Sequence, residues 1–306
     1  MVKFHLGLNN CWAIKRWPVP SEWADLYRKM DVKNVQFSFD LLDPRSKPVV
    51  LEYGIGQVND AVAKYGLYLQ STFTGLIPYS MNFLAHPDPV MRADALDWYM
   101  EAIRVTKLLG AKMTGGHMGA KSVADYEDKA RANAVDQALF EAVKSMRVRA
   151  KQEGLEALLW EPMPVPRETP WSLEEASLVL KRANEGEGVP LKLAIDMGHQ
   201  CTLKGPDGDP YRWLAQLGAE SPVIHLQQTD GKADRHWPFA REYNEIGIVK
   251  PDKVIESLER SGAKEVYAFV EYIPPSEEDD KKVLENVEET VKLWKEYAQD
   301  RGQCPS

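Results

Sequence analysis

Cysteine is scarce in this chain of 306 residues: there are three, Cys11, Cys201 and Cys304. Odd in number and without the close spacing of metal-binding pairs, they exclude a disulfide framework and a thiolate zinc site, and they fit a reducing cytoplasm. Long apolar runs are missing too. No stretch approaches the roughly 18 uninterrupted apolar residues of a membrane helix, and Met1 leads straight into the strand-like Lys3 to Leu8 without an apolar leader. Neither export nor a membrane span is expected. Positive charge is in deficit, with 38 Lys and Arg against 46 Asp and Glu and a net charge of -8. Nucleic acid requires clustered basic residues, so small molecules are the expected partners. Phosphate-cradling glycine loops are also absent. Where a dinucleotide fold would carry G-x-G-x-x-G after the first strand, the chain reads Gly7-Leu8-Asn9-Asn10-Cys11.

What is present is a regular alternation of short apolar runs with longer segments of helical period. Strands are predicted at Lys3 to Leu8, Val35 to Phe39, Leu67 to Phe73, Lys112 to His117, Leu155 to Trp160, Leu191 to Asp196, Val223 to Gln227 and Val266 to Glu271. Helices are predicted between them: Ser21 (as cap) to Met30, Val50 to Lys64, Val90 to Leu109 stopped by Gly110, Val123 to Gly154, Ser172 to Asn184, Tyr211 to Leu217 and Pro251 to Arg260, with Glu277 to Gln299 closing the chain. Eight strands each followed by a helix require parallel pairing, and eight such units close into a single α/β barrel of the (β/α)8 type over residues 1–306 more naturally than they extend as an open doubly wound sheet, which remains the alternative.

Four of these strands end on a residue able to bind a hard cation: Glu161, held from further strand by Pro162 and Pro164, then Asp196, His225 and Glu271. Acids at strand ends are often helix caps or solvated loop residues when met singly. Four at the ends of strands five to eight are harder to explain so, because the carboxyl ends of barrel strands open onto one face. Three carboxylates and one imidazole suit Mn²⁺, Mg²⁺ or Co²⁺ better than a structural zinc. Around them lie His199, Arg167 and Glu168, His117 after paired glycines, and the loop Asp230-Gly231-Lys232-Ala233-Asp234-Arg235-His236. Trp12, Trp160 and Phe73 stand near strand ends, where they would stack on a ligand or fill the core.

The strand-end set, with Asp-x-x-His at 196–199 and His-Leu-Gln-Gln-Thr-Asp at 225–230, resembles the xylose isomerase-like TIM-barrel superfamily of sugar isomerases and epimerases. It is most similar to the branch with the tagatose and psicose 3-epimerases and small-sugar isomerases, and the similarity runs from the first strand to the eighth. The resemblance implies one divalent metal ion held by Glu161, Asp196, His225 and Glu271. It implies Glu161 and Glu271 as the acid/base pair, with His199 on the sugar's oxygens; Glu168, Arg235, His117 and Trp12 are further candidate substrate contacts by their places on the loops and strand ends of the same face. Where that branch commonly has an arginine six residues after the metal histidine, this chain has Gly231, with Arg235 further on. The loop is therefore expected to read a different sugar from the six-carbon ketoses.

Such a site supports proton transfer next to a sugar carbonyl through a cis-enediolate. The expected reaction is aldose–ketose isomerisation of a small free tetrose or pentose, including branched apiose, since Tyr272-Ile273-Pro274-Pro275 after the last strand offers no phosphate nest. The alternative is a ketose 3-epimerase using the same residues. A sugar-binding barrel without turnover, a lyase and an abasic-site endonuclease rank lower, the last because six histidines and an acidic chain do not suit a histidine-rich metal cluster on DNA. A homo-oligomer is allowed.

Overall fold

A computed structural model describes residues 1–300, so Cys304 lies outside the described residues. In chain order the elements are β1 (Lys3–Asn9), α1 (Pro20–Lys29), β2 (Asn34–Ser38), α2 (Pro48–Tyr65), β3 (Tyr68–Phe73), α3 (Pro89–Leu108), β4 (Met113–Gly116), α4 (Val123–Glu127), α5 (Lys129–Glu153) and β5 (Ala157–Trp160). There follow α6 (Leu173–Ala183), β6 (Leu191–Asp196), α7 (Pro210–Leu217), β7 (Val223–Leu226), α8 (Arg241–Ile246), α9 (Pro251–Ser261), β8 (Glu265–Val270) and α10 (Asp280–Asp300). The eight strands are hydrogen-bonded in chain order, and β8 returns to pair in parallel with β1 from Lys3↔Glu265 to Leu8↔Val270, which closes the barrel. Strands covered on both sides read as continuous apolar runs rather than alternating ones. Ala157-Leu158-Leu159-Trp160, buried throughout, is the clearest case.

Contacts gather the chain into two compact units. The first comprises Met1–Phe37, Asp60–Leu69 and the chain from Ala194 onward. Its core includes Trp294 of α10, stacked on Phe4 at 5.9 Å and edge-on to Phe239 at 5.2 Å. Arg16 donates to the carbonyls of Pro275 (2.8 Å) and Glu278 (3.2 Å), fastening the loop after β8 to the loop after β1. The second unit comprises Ser38–Asn59 and Gln70–Leu193. Phe39, Phe83, Trp98 and Tyr99 pack edge to face at 5.2–5.8 Å within it.

Several helix boundaries differ from expectation, and α8 was not expected at all. The single helix expected over Val123 to Gly154 is broken at Asp128, whose extended backbone (φ -99, ψ 110) and carboxylate cap a new helix by accepting from the N–H groups of Ala130 and Arg131. A side chain that can satisfy two orphan donors competes with helix continuation, and apolar periodicity is blind to that competition. The first helix begins at Pro20, and Ser21 is not its cap. Ser172 does cap α6, accepting from Glu175 N–H at 3.2 Å. The paired glycines of β4 are a close-approach device: a Cβ on Gly115 would stand 1.8 Å from the Leu159 carbonyl oxygen. No helix among the described residues is long and apolar enough to cross a membrane.

Candidate metal centre

In the first unit, neighbouring strand ends bring three ligand-type side chains together. β6 and β7 pair with Asp196 opposite His225, and β7 pairs with β8 up to Leu226↔Val270, so Glu271 follows directly. One ligand atom from each of Asp196, His225 and Glu271 lies within 4.8 Å of the others, and all three residues are buried. Asp196 is held by one oxygen: Oδ1 accepts from Gly198 N–H (2.6 Å), His199 N–H (2.9 Å) and Gln227 Nε2 (2.8 Å). Its other oxygen, Oδ2, is buried without a hydrogen-bond partner. A buried carboxylate oxygen left in that state is costly unless a cation or proton meets it.

The orientation of His225 is set from β1 and β2. Its Nε2 lies 2.7 Å from Gln36 Oε1, an acceptor, so that nitrogen carries a proton, and Nδ1, 3.2 Å from Glu271 Oε2, is the nitrogen a cation would take in exchange for its proton. Gln36 Oε1 also accepts from Asn9 Nδ2 at 2.9 Å, and Asn9 Nδ2 donates in turn to Glu271 Oε1 at 3.1 Å. Asn9 and Gln36 are cross-strand partners in the β1–β2 register. Neither was singled out from the sequence, where each reads as an ordinary polar residue on a strand.

Beside this set lies a second, smaller cluster. Asp234 sits 3.6 Å from His199 Nε2 and 3.2 Å from His236 Nε2, and Gln227 joins it to Asp196 by donating to Asp234 Oδ1 at 2.6 Å. Gly198 leaves room for that amide, since a Cβ there would fall 2.3 Å from it. Burial favours the neutral acid at both aspartates. At Asp196 it wins, although the His199 and His236 imidazoles pull the other way, and the carboxyl is pushed up to about 6. At Asp234 the same two imidazoles overcome burial and hold the acid well below its ordinary range. Burial opposes the charge of His236, but Asp234, Glu271 and Asp196 outweigh it and raise that imidazole to about 9. Burial likewise opposes the charge of Glu271, and His225 overcomes it, keeping the acid below its usual value.

Of the residues expected at the site, His199 is buried beside this wall of imidazole and carboxylate. Arg235 is not brought to it. Its guanidinium pairs with Asp230 at 3.2 Å and lies 5.1 Å over the Trp237 ring, while the next residue, His236, reaches Glu271 with Nδ1 3.6 Å from Oε2. Trp12 is fully buried against Trp17 and Tyr27.

In the second unit Glu161 is buried at the end of β5, with its backbone N–H on Gly116 O at 3.1 Å. Tyr79, a residue the sequence reading passed over, donates its phenol to Glu161 Oε2 and stacks on His117 at 5.2 Å. Arg167 donates to the Lys121 carbonyl at 2.9 Å, Glu168 is half-buried in the same loop, and Trp160 packs on Phe140 of α5 at 6.0 Å.

The donor set fits a divalent cation. Carboxylate oxygens and imidazole nitrogen are hard or borderline ligands, and Asp196 Oδ2 is a buried acceptor with no proton donor of its own. A family model described as "Xylose isomerase-like TIM barrel" matches residues 24–297. The chain is 24% identical over 295 residues to a D-erythrulose 1-phosphate 3-epimerase of Brucella abortus, covering 94% of each chain. Among solved structures it resembles a candidate xylose isomerase of Rhodospirillum rubrum, with 29% identity, a TM-score of 0.89 and coverage of 96% of this chain and 99% of that one. It also resembles the D-psicose 3-epimerase of Clostridium cellulolyticum, with 14% identity, a TM-score of 0.71 and the same two coverages.

Proposed function

The chain belongs to the xylose isomerase-like TIM barrel family, and from that premise we propose that it is a divalent-metal-dependent epimerase of a small ketose, inverting the carbon next to the carbonyl. The observation that carries this reading is the convergence of Asp196, His225 and Glu271 around a buried carboxylate oxygen that has no partner. Glu161 is proposed as the fourth ligand. It directly follows Trp160, which pairs with Leu193 of β6. Resemblance over nearly full length to two proteins named as 3-epimerases supports inversion over the aldose–ketose exchange expected from the sequence.

A divalent cation bound here would supply positive charge beside the carbonyl and hydroxyl oxygens of the sugar. The chain's own residues do the rest. Glu161 and Glu271 are the proposed acid/base pair, one accepting the proton from the carbon next to the carbonyl while the other returns a proton to its opposite face. Asn9 orients Glu271, and Gln36 fixes the tautomer of His225. His199 and His236, joined through Asp234, are proposed to hold sugar hydroxyls.

The test is a screen of ketoses of about four to six carbons, free and 1-phosphorylated, with Mn²⁺ present and products identified by ¹³C NMR. One pair of epimers is expected to interconvert. Activity should vanish in chelator and return with Mn²⁺, Co²⁺ or Mg²⁺, and Glu161→Gln and Glu271→Gln should each lose about 10²- to 10⁴-fold in turnover with the fold intact. Full turnover by verified metal-free protein, or by either glutamine variant, would sink the reading.

A further inference from the structure

We propose that Tyr79 is the positioning residue of Glu161, its phenol holding one carboxylate oxygen and so setting the rotation of the group that takes up or gives the proton. The inference rests on the acid/base role proposed above for Glu161. Tyr79 lies on the short turn Pro78–Ser80 within the long connection between β3 and α3, and it is half-buried. Its hydroxyl donates to Glu161 Oε2, and its ring lies 5.2 Å from the His117 ring at an interplanar angle of 23°.

The connection is fastened on both sides of this one side chain. Before it, the Asp40 carboxylate accepts from Leu76 N–H at 2.8 and 3.0 Å and is itself held by Ser38 Oγ at 2.7 Å. Gly75 (φ 82) is required there, because a Cβ would stand 2.4 Å from that carboxylate. After it, Asn82 Nδ2 donates to Ala120 O at 2.6 Å, Ala120 N–H returns to Asn82 O at 3.1 Å, and Leu84 N–H reaches Met118 O at 3.2 Å. Gly119 permits this approach, since a Cβ on it would fall 2.3 Å from Asn82 O. Loops of this length are commonly mobile, whereas this one is anchored on either side of the residue that reaches Glu161.

The chemical reason for such an arrangement lies in the geometry of proton transfer. A carboxylate on a flexible stem is an efficient base only when one lone pair is aimed at the carbon-bound proton, and a misplacement of about 1 Å costs about 10²-fold. A phenol donating to one oxygen fixes the rotation of the group without occupying the other. It is neutral, so it leaves the charge of the ligand set unchanged.

The experiment uses the Mn²⁺-loaded enzyme and the ketose pair found in the screen. Tyr79→Phe keeps the ring on His117 and removes only the hydroxyl. Turnover, measured at saturating Mn²⁺, is expected to fall roughly 10- to 100-fold with KM within about 3-fold, and Mn²⁺ affinity by calorimetry should fall less than turnover, because Asp196, His225 and Glu271 still hold the ion. In D₂O, the epimer whose proton is taken by Glu271 should still exchange that proton at the parent rate, while exchange of the other epimer falls with turnover. A general loosening of the site would slow both. Tyr79→Leu, which also removes the stacking, should be no worse than Tyr79→Phe. If Tyr79→Phe matches the parent and only Tyr79→Leu is impaired, Tyr79 is a packing residue and the inference is overturned. The reference is Glu161→Gln: if it turns over normally, the role of Glu161 fails, and if it is dead while Tyr79→Phe is unaffected, the role of Tyr79 alone fails.

Discussion

At the scale of single residues, Asp196 shows how the site is poised. It is fully buried, with Oδ1 satisfied three times and Oδ2 not at all. Burial and the charges of Asp234 and Glu271 raise its carboxyl to about 6 against the pull of two imidazoles. An acid whose folded value lies above its unfolded one contributes stability that is present below the unfolded value and lost as pH rises through the folded one. In the metal-free protein, Asp196 is therefore a liability above about pH 6. A divalent cation needs the ionised form and competes with the proton, so Mn²⁺ affinity should fall as pH drops through about 6, by up to tenfold per unit, as calorimetry can follow. Asp196→Asn keeps Oδ1 as an acceptor and removes the charge. The metal-free variant should melt above the metal-free parent at neutral pH while binding Mn²⁺ at least about 10-fold more weakly. A lower melting temperature would mean that the carboxylate is already neutralised by its neighbours.

The secondary-structure elements divide into what the sequence could reveal and what only pairing creates. Strand ends were legible because a buried apolar run that stops on an acid or imidazole leaves few bland readings, and Asp196, His225 and Glu271 do converge. Asn9 and Gln36 were not legible, since they meet only when β1 lies beside β2 in the register Asn9↔Gln36. The choice between Arg235 and His236 was equally hidden, because the loop's turn decides which of two adjacent side chains reaches Glu271, and His236 does so from a left-handed backbone (φ 47). For the paired glycines before His117 the reason lies in a close approach that the sequence does not show. The partner is the neighbouring strand: the ideal Cβ of Gly115 would sit 1.8 Å from Leu159 O. Gly115→Ala must push β4 from β5 or bend it, and since overpacking a rigid site costs about 1–3 kcal/mol or more, its urea midpoint should drop clearly below the parent's. An unchanged midpoint would show that β4 can yield without loss.

For the molecule as a whole, the remaining question is what the proposed acid/base pair does with the proton it removes. Identity of 24% to a 3-epimerase of nearly the same length carries the fold and the reaction class further than it carries the substrate. Inversion and aldose–ketose exchange begin alike and then part. Inversion at one carbon needs a base on one face and an acid on the other, so the proton delivered differs from the proton removed and must come from solvent through the second glutamate. Exchange of carbonyl position needs a single base on one face, which can carry the same proton from carbon to neighbouring carbon and retain part of it. The two outcomes separate in D₂O. If Glu161 and Glu271 act from opposite faces, the first product formed should carry close to one deuterium at the inverted carbon, with the carbonyl unmoved by ¹³C NMR and the recovered substrate still largely protiated. A product whose carbonyl has shifted by one carbon, with substrate hydrogen partly retained beside it, would return the chain to the isomerase expected from its sequence, while the proposed ligands Asp196, His225 and Glu271 would keep their places.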